Sequence, residues 1–406
     1  MATRTRVISQ NKAVYVTPTG WNEYAGAGDP LTGNSMITGH HLHRVDTFSF
    51  EMDLAGARQD VREFGQLARI GTVNLTEVNP TLSFGYFLGD GENELALGLT
   101  KSKTGAAGFT GQMCSGQLTE NDILKERNVF LLTVAEGEDA FAETEATMAA
   151  NENNHDVVGF GNCFLSSYSA NFSVGEIPRA DIEMQASNVV FYTGINSGLI
   201  NPSLNLEGER THTGIVKLPA PDTGTAIPLV LRPQDASITF FAGADLDSPI
   251  GGPTAFNSLP IQSASIELPL AREVIESLGN ELAYAKLLEF PIDVTMNISS
   301  LTRDFASGAL EYALTGTAEN NKTSIKLSIT NDGAPALEYL LSGALLDNQS
   351  FSQGLDDNET VDLTFSAQIG GASTTDQGLF FFPKANSPTF TVVSGENNKL
   401  ATQPIS

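Results

Sequence analysis

Val45-Asp-Thr-Phe-Ser-Phe-Glu-Met-Asp-Leu54 alternates polar and apolar residues, and Ile261-Gln-Ser-Ala-Ser-Ile-Glu-Leu-Pro-Leu270 repeats the rhythm 216 positions later. Thr47, Ser49 and Glu51 stand over Ser263, Ser265 and Glu267, while Phe48, Phe50 and Met52 stand over Ala264, Ile266 and Leu268. Successive side chains of a strand point to opposite faces. Each stretch therefore predicts a strand with one wet and one dry face, in the same phase.

The likeness extends in both directions. Arg58-Gln-Asp-Val-Arg-Glu-Phe-Gly65 matches Arg272-Glu-Val-Ile-Glu-Ser-Leu-Gly279 at an offset of 214. Val61 and Phe64, like Ile275 and Leu278, stand three apart ahead of a glycine that suits a helix end, so two short helices are expected here. Thr81-Leu-Ser-Phe84 lies over Thr295-Met-Asn-Ile298 at the same offset. Asn128–Gly137 is paired with Thr323–Gly333, Phe172-Ser-Val-Gly175 with Phe351-Ser-Gln-Gly354, Asp181–Ala186 with Val361–Ser366, and Lys12–Val16 with Ala236–Phe240. So many elements in one order imply two copies of one domain.

The expected architecture is all-β dominated: two tandem β-sandwich domains, each with a short flanking α-helix, and a C-terminal extension. The first domain spans 1–195, with loop insertions near 101–126 and 136–156. A Pro, Gly and Asn-rich connector covers 196–231, the second domain 232–370, and an extension or arm 371–406.

Composition narrows the partners. Forty-eight acids face 22 bases, for a formal net charge of −26. Such a chain repels nucleic acid and anionic membranes, because phosphate binding needs clustered Lys and Arg. The start, Met1–Lys12, has no apolar core of a secretory signal, and no apolar run approaches the ~18 residues of a membrane span. A soluble chain made in a cytoplasm, without membrane anchoring, is the expectation. The Asn-x-Ser/Thr triplets, Asn74 and Asn171 among them, then carry no meaning.

A Phe-Ser-Phe-Glu-Met-Asp-Leu strand, a short helix ending in Gly and further alternating strands resemble the tail tube proteins of tailed bacteriophages. The carriers are Val45–Gly65, Thr81–Leu88 and Phe172–Ala186, with Ile261–Gly279, Thr295–Ser300 and Phe351–Ser366 as their partners. Arg4–Val16 has the same flavour, and the likeness covers about three quarters of the chain. It implies a virion structural protein, assembled in the host cytoplasm, whose protomers join edge to edge in rings that stack into a hollow tail tube. Most of the family carry one domain and form six-fold rings. Two fused domains imply a homotrimer with pseudo-six-fold symmetry, other phage tail proteins as partners, and genomic DNA passing through without specific binding.

An acidic lumen agrees with that role, since each cationic contact to phosphate adds salt-dependent friction. Candidate lumen-facing residues are Thr47, Ser49, Glu51, Asp53, Asp181 and Glu183 in the first copy. Ser263, Ser265, Glu267, Asp362 and Thr364 are their counterparts in the second. The plainer reading is that half-exposed strands show polar residues to water.

No catalytic, cofactor or metal site is assigned. His40-His41-Leu42-His43 comes nearest to a metal site, because an i, i+2 pair on a strand shares a face and a distant carboxylate could complete a set. It reads instead as a polar loop leading into a strand. Asp90–Glu94, Asp245–Asp247 and Asp356–Glu359 lack the EF-hand spacing and read as solvated acidic turns. Cys114 and Cys163 read as small buried or incidental residues. Nucleophile elbows, P-loops, His-Glu-x-x-His and zinc-spaced Cys pairs are missing. The alternatives are another phage tail ring protein (a baseplate hub or terminator), a monomeric β-sandwich surface or carbohydrate-binding module, and last an acid-catalysed hydrolase.

Overall fold

The computed structural model describes residues 11–19, 35–52, 58–74, 80–99, 101–102, 112–113, 126–134, 139–142, 155–193, 199–204, 215–221, 236–242, 260–275, 285–301, 322–331, 334–352, 360–369, 378–383 and 392–394. The first half contributes β1 (Lys12–Pro18), β2 (Ser35–Thr38), β3 (His40–His41), β4 (Val45–Glu51), β5 (Arg58–Val61), β6 (Gly71–Asn74) and β7 (Thr81–Phe87). The helix α1 (Glu92–Ala96) follows, then β8 (Lys101–Ser102), β9 (Gln112–Met113), β10 (Arg127–Thr133), β11 (Asp156–Ser173), β12 (Arg179–Gln185) and β13 (Asn188–Thr193). Two short strands, β14 (Leu199–Ile200) and β15 (Ile215–Lys217), lie between the halves. The second half contributes β16 (Ala236–Ala242), β17 (Ile261–Pro269), β18 (Arg272–Ile275), β19 (Ala285–Leu288) and β20 (Asp293–Leu301). It ends with β21 (Thr323–Asn331), β22 (Ala334–Ser352), β23 (Thr360–Gln368), β24 (Gly378–Pro383) and β25 (Val392–Ser394).

Pairing in the second half repeats pairing in the first. β4 pairs with β7, β7 with β12, and β12 with the C-terminal part of β11; the N-terminal part of β11 pairs with β10 and β13, and β10 with β1. β17, β20, β23, β22, β21, β24 and β16 take the same places in the same order. Registers agree as well: Glu51 opposes Thr81 as Glu267 opposes Thr295, and Asp181 opposes Ser169 as Asp362 opposes Ser350. Irregularities recur too. A register shift falls between Val45 and Thr47 and again between Ile261 and Ser263, then between Leu165 and Ser167 and again between Leu346 and Asn348. β24 pairs with β22 as β13 pairs with β11, so the repeated pattern runs past residue 370.

Two expectations need correction. Neither Arg58–Gly65 nor the described part of Arg272–Gly279 is helical. β5 pairs with β6 and β18 with β19 as hairpins. Four residues cannot meet the cost of nucleating an isolated helix, whereas a returning strand satisfies their backbone at once. Val61 and Phe64 accordingly stay exposed. Among the described residues α1 is the sole α-helix, and no helix is long and apolar enough to cross a membrane. The match of Phe172 with Phe351 also slips: through the pairing to β12 and β23, Phe351 corresponds to Ala170. Likewise Asp181 corresponds to Asp362, not Val361.

The core follows from the alternation. Phe84, Ile182, Tyr168, Ile266, Met296 and Leu363 all turn to one side, into a single cluster that draws on both halves. Tyr168 and Tyr339 meet there, hydroxyl to hydroxyl at 2.7 Å, with Glu94 3.5 Å from Tyr168. Burial pushes both the Tyr168 hydroxyl and the Glu94 carboxyl above their ordinary values. Glu94 is thus no solvated acidic turn.

The two longest strands hold the layers together. β11 leaves β10 at Cys163 and joins β12 at Phe164, and β22 leaves β21 at Ala344 and joins β23 at Leu345. Just before each switch stands a residue in the left-handed region, Asn162 (φ 49°) and Gly343 (φ 74°). Strands that turn a corner between sheets need such a local break. Gly161 precedes this bend, where an added Cβ would run into the Pro202 carbonyl. We expect Gly161→Ala to lower stability in urea titration by about 1–3 kcal/mol, as overpacking does. Gly71→Ala, with open space around it, should change stability by less than about 1 kcal/mol.

Candidate functional site

Eight strand segments form one continuous antiparallel surface in the order β4, β7, β12, β11, β17, β20, β23, β22. The halves are joined at its centre. There β11 pairs directly with β17, with Ser169 opposite Glu267, Ala170 opposite Ile266 and Asn171 opposite Ser265. One face of this surface is the core, and the other carries polar side chains in rows across the strands. One row runs Arg179, Asn171, Ser265, Asn297, Thr364, Asn348.

Ten of the eleven candidate lumen residues lie on these strands; Asp53 falls outside the described residues. Thr47, Ser49, Glu51, Glu183, Glu267 and Asp362 are exposed, and Asp181, Ser263, Ser265 and Thr364 are half-buried. The sheet gathers them on its polar face, because Thr47, Asp181, Glu267 and their neighbours are linked through consecutive cross-strand pairs. Across the eight segments stand eight carboxylates and a single cation, Arg179. That cation is tied down. Its Nη1 lies 2.7 Å from Asp46, its Nε donates to Asp181 at 2.8 Å, and its Nη2 donates to Thr47 at 2.7 Å. The face therefore presents negative charge and hydroxyls, with no free guanidinium or ammonium among the described residues.

The ends of the surface differ from its middle. Among the described residues β4 pairs only with β7, and Leu345–Ser352 of β22 pairs only with β23. Both leave an edge of backbone donors and acceptors unpaired in the ladder. Phe50 on β4 is 38% exposed and Phe351 on β22 is 45% exposed. Their counterparts at the β11–β17 junction, Ile266 and Ala170, are 1% and 0% exposed. Leu345 is 41% exposed where its counterpart Phe164 is 5% exposed.

The β18–β19 hairpin shows what covers Phe164. Arg272 stacks over the Phe164 ring at 4.7 Å and its Nε donates to the Leu165 carbonyl at 3.4 Å; Lys286 Nζ donates to the Ala186 carbonyl at 3.0 Å. Thus a hairpin of the second half straddles the first. The equivalent β5–β6 hairpin has Val61, Ile70 and Val73 exposed.

A second cluster lies at the turn from β3 into β4. His40, His43 and Glu92 bring their donor atoms within 4.8 Å of one another. The sequence spacing singled out His41 with His43; the structure instead brings His40 and His43 to one carboxylate. His41 faces Tyr15 and Phe141, and burial, with His43 and His40 nearby, lowers its value to about 3. Glu92 was legible only as one of an acidic run. Asp245–Asp247, Asp356–Glu359 and Cys114 fall outside the described residues. Cys163 is buried, which pushes its thiol up to about 12 and keeps it inert.

No family model matches this chain, and no curated protein does. Among solved structures, the tail tube of SPP1 is similar at a TM-score of 0.27 and 12% identity, over 38% of this chain and 80% of that one. The baseplate of the anti-feeding prophage is similar at 0.24 and 15%, over 34% and 93%.

Removing the one cation of the polar face leaves Asp46 and Asp181 facing each other. We expect Arg179→Gln to cost about 1 kcal/mol in urea titration at low salt, with the loss shrinking at high salt as screening takes over. Adding Asp181→Asn should recover part of it.

Proposed function

We propose that this chain is a virion structural protein of a phage tail, and that copies of it join edge to edge into rings that stack as a DNA-conducting tube. The observation that carries the reading is the contrast between the covered and uncovered edges. β11 and β17 bury Ala170 against Ile266, whereas Phe351 and Phe50, at the corresponding places on β22 and β4, remain 45% and 38% exposed. Long unpaired edges bearing apolar residues are a hazard for a solitary chain, and a partner strand removes it.

The internal junction supplies the register. β22 of one copy would pair with β4 of the next so that Ser350 opposes Glu51, Phe351 opposes Phe50 and Ser352 opposes Ser49. The β5–β6 hairpin would then lie over Leu345 of the neighbour, as β18–β19 lies over Phe164. The junction is head-to-tail, so it closes into a ring if its rotation allows. Three chains, the number implied by six domains in pseudo-six-fold order, would close twenty-four strands. At about 4.8 Å between strands and a tilt near 40°, such a cylinder is roughly 50 Å across. With its dry face covered by the outer layer, the inner wall is the polar face and its carboxylates. Those repel phosphate, as a conduit for DNA requires.

Oxidative cross-linking of a Phe50→Cys/Phe351→Cys variant tests both register and ring size. Directly opposed residues in an antiparallel pair are close enough for a disulfide. Covalent species should accumulate up to trimer and stop there, and negative-stain microscopy of the unmodified chain should show hollow tubes. Phe351→Asp should keep the melting temperature within a few degrees yet abolish tubes. Rings that never stack would favour a hub or terminator. Monomers without cross-links would sink the proposal and leave the binding-module reading.

A further inference from the structure

We propose that His40, His43 and Glu92 form a binding site for one divalent transition-metal cation of the zinc class. This does not rest on the assembly reading. His40 Nε2 lies 3.6 Å from one carboxylate oxygen of Glu92, and His43 Nε2 lies 3.7 Å from the other. Those gaps are too long for hydrogen bonds. A tetrahedral ion with bonds of about 2.0–2.1 Å holds neighbouring donors about 3.4 Å apart; both His–Glu gaps are close to that spacing, and all three donors lie within 4.8 Å of one another. Two imidazoles and one carboxylate are a zinc donor set that leaves a fourth position for water. Calcium and magnesium, which prefer all-oxygen shells, fit it poorly.

The surroundings hold the donors in place. The side chains of His40 and His43 are 18% and 15% exposed, and that of Glu92 is 32% exposed, so an ion could enter from one side. Asn93 clasps the turn: the His43 amide donates to its Oδ1 at 2.9 Å, and its Nδ2 donates to the His43 carbonyl at 2.7 Å. That pair of bonds joins the β3–β4 turn to α1, the two elements that carry the ligands. Arg44, in the left-handed region at φ 61°, turns the chain directly after His43, and its guanidinium pairs with Asp90 at 3.6 Å. The imidazole rings of His40 and His43 stand edge to face at 6.0 Å.

The second half lacks this set. At the offset of 216 residues, positions 40 and 43 correspond to Phe256 and Leu259, and at 214 Glu92 corresponds to Ala306. The site thus belongs to the first half alone, where a bound ion would staple the β3–β4 turn to α1.

The test uses the full chain, stripped with a chelator and titrated with zinc sulfate by calorimetry, then with cobalt(II) by optical absorption. One equivalent of zinc per chain and a tetrahedral cobalt spectrum are expected. His43→Ala and Glu92→Gln should each weaken binding at least about tenfold, and Asn93→Ala, a positioning residue, by about 10–100-fold. Glu92→Gln preserves side-chain shape, so it decides the matter should His43→Ala fold poorly by circular dichroism. No zinc uptake by the parent chain would overturn the proposal. So would one equivalent retained by a His40→Ala/His43→Ala variant.

Discussion

A β-strand bonds on two sides, and each side must meet water or another strand. Most of this molecule follows from where that requirement is met within the chain and where it is left open. β11 meets it by taking β12 on one side and β17 on the other, which fuses the halves into one surface. The two ends of that surface have a partner on one side only. Side-chain exposure tracks this difference: Phe50, Phe351 and Leu345 are partly exposed at the ends, while their counterparts Ile266, Ala170 and Phe164 are shut away in the middle. Burying a phenylalanine is worth about 1.5–3 kcal/mol. Phe50 and Phe351 are already more than half covered, so closing the edges in the proposed ring would add roughly half of that for each.

The sequence made the wet and dry faces legible where alternation was long and uninterrupted. β4 over β17 and β7 over β20 stand in the register read at offsets of 216 and 214, down to the individual residue. Shorter signals failed for physical reasons. Val61 and Phe64 share a helical spacing by accident, and the partner strand that overrides it, Gly71–Asn74, could not be located from four residues of turn-like sequence. Phe172 and Phe351 look alike, yet the pairing matches Phe351 with Ala170, two residues earlier on the same face. Side chains repeat every two residues along a strand, so a slip of two keeps the faces and a likeness of single residues does not fix the register. Glu94 was hidden because an acidic run gives no sign of which member turns inward.

The two halves, similar in pairing, have diverged where their neighbours differ. Arg272 and Lys286 are buried against Phe164 and Ala186 in a fixed, covalently supplied neighbour. At the matching places β5 and β6 carry Arg58 and Thr72. The histidine cluster is a further departure, since Phe256 and Leu259 stand in the sequence where the first half has His40 and His43. In the proposed ring these differences alternate around the circle, so that adjacent junctions are chemically distinct although geometrically alike.

Asn162 and Gly343 let one backbone pass from one layer to the other without a break. The layers of an ordinary sandwich are held by side-chain packing alone, and can shear by exchanging one set of contacts for another. Here a load applied to the wet face is borne along covalent bonds through β11 and β22. The two layers must yield together, as a bent beam does, and not as two plates that slide.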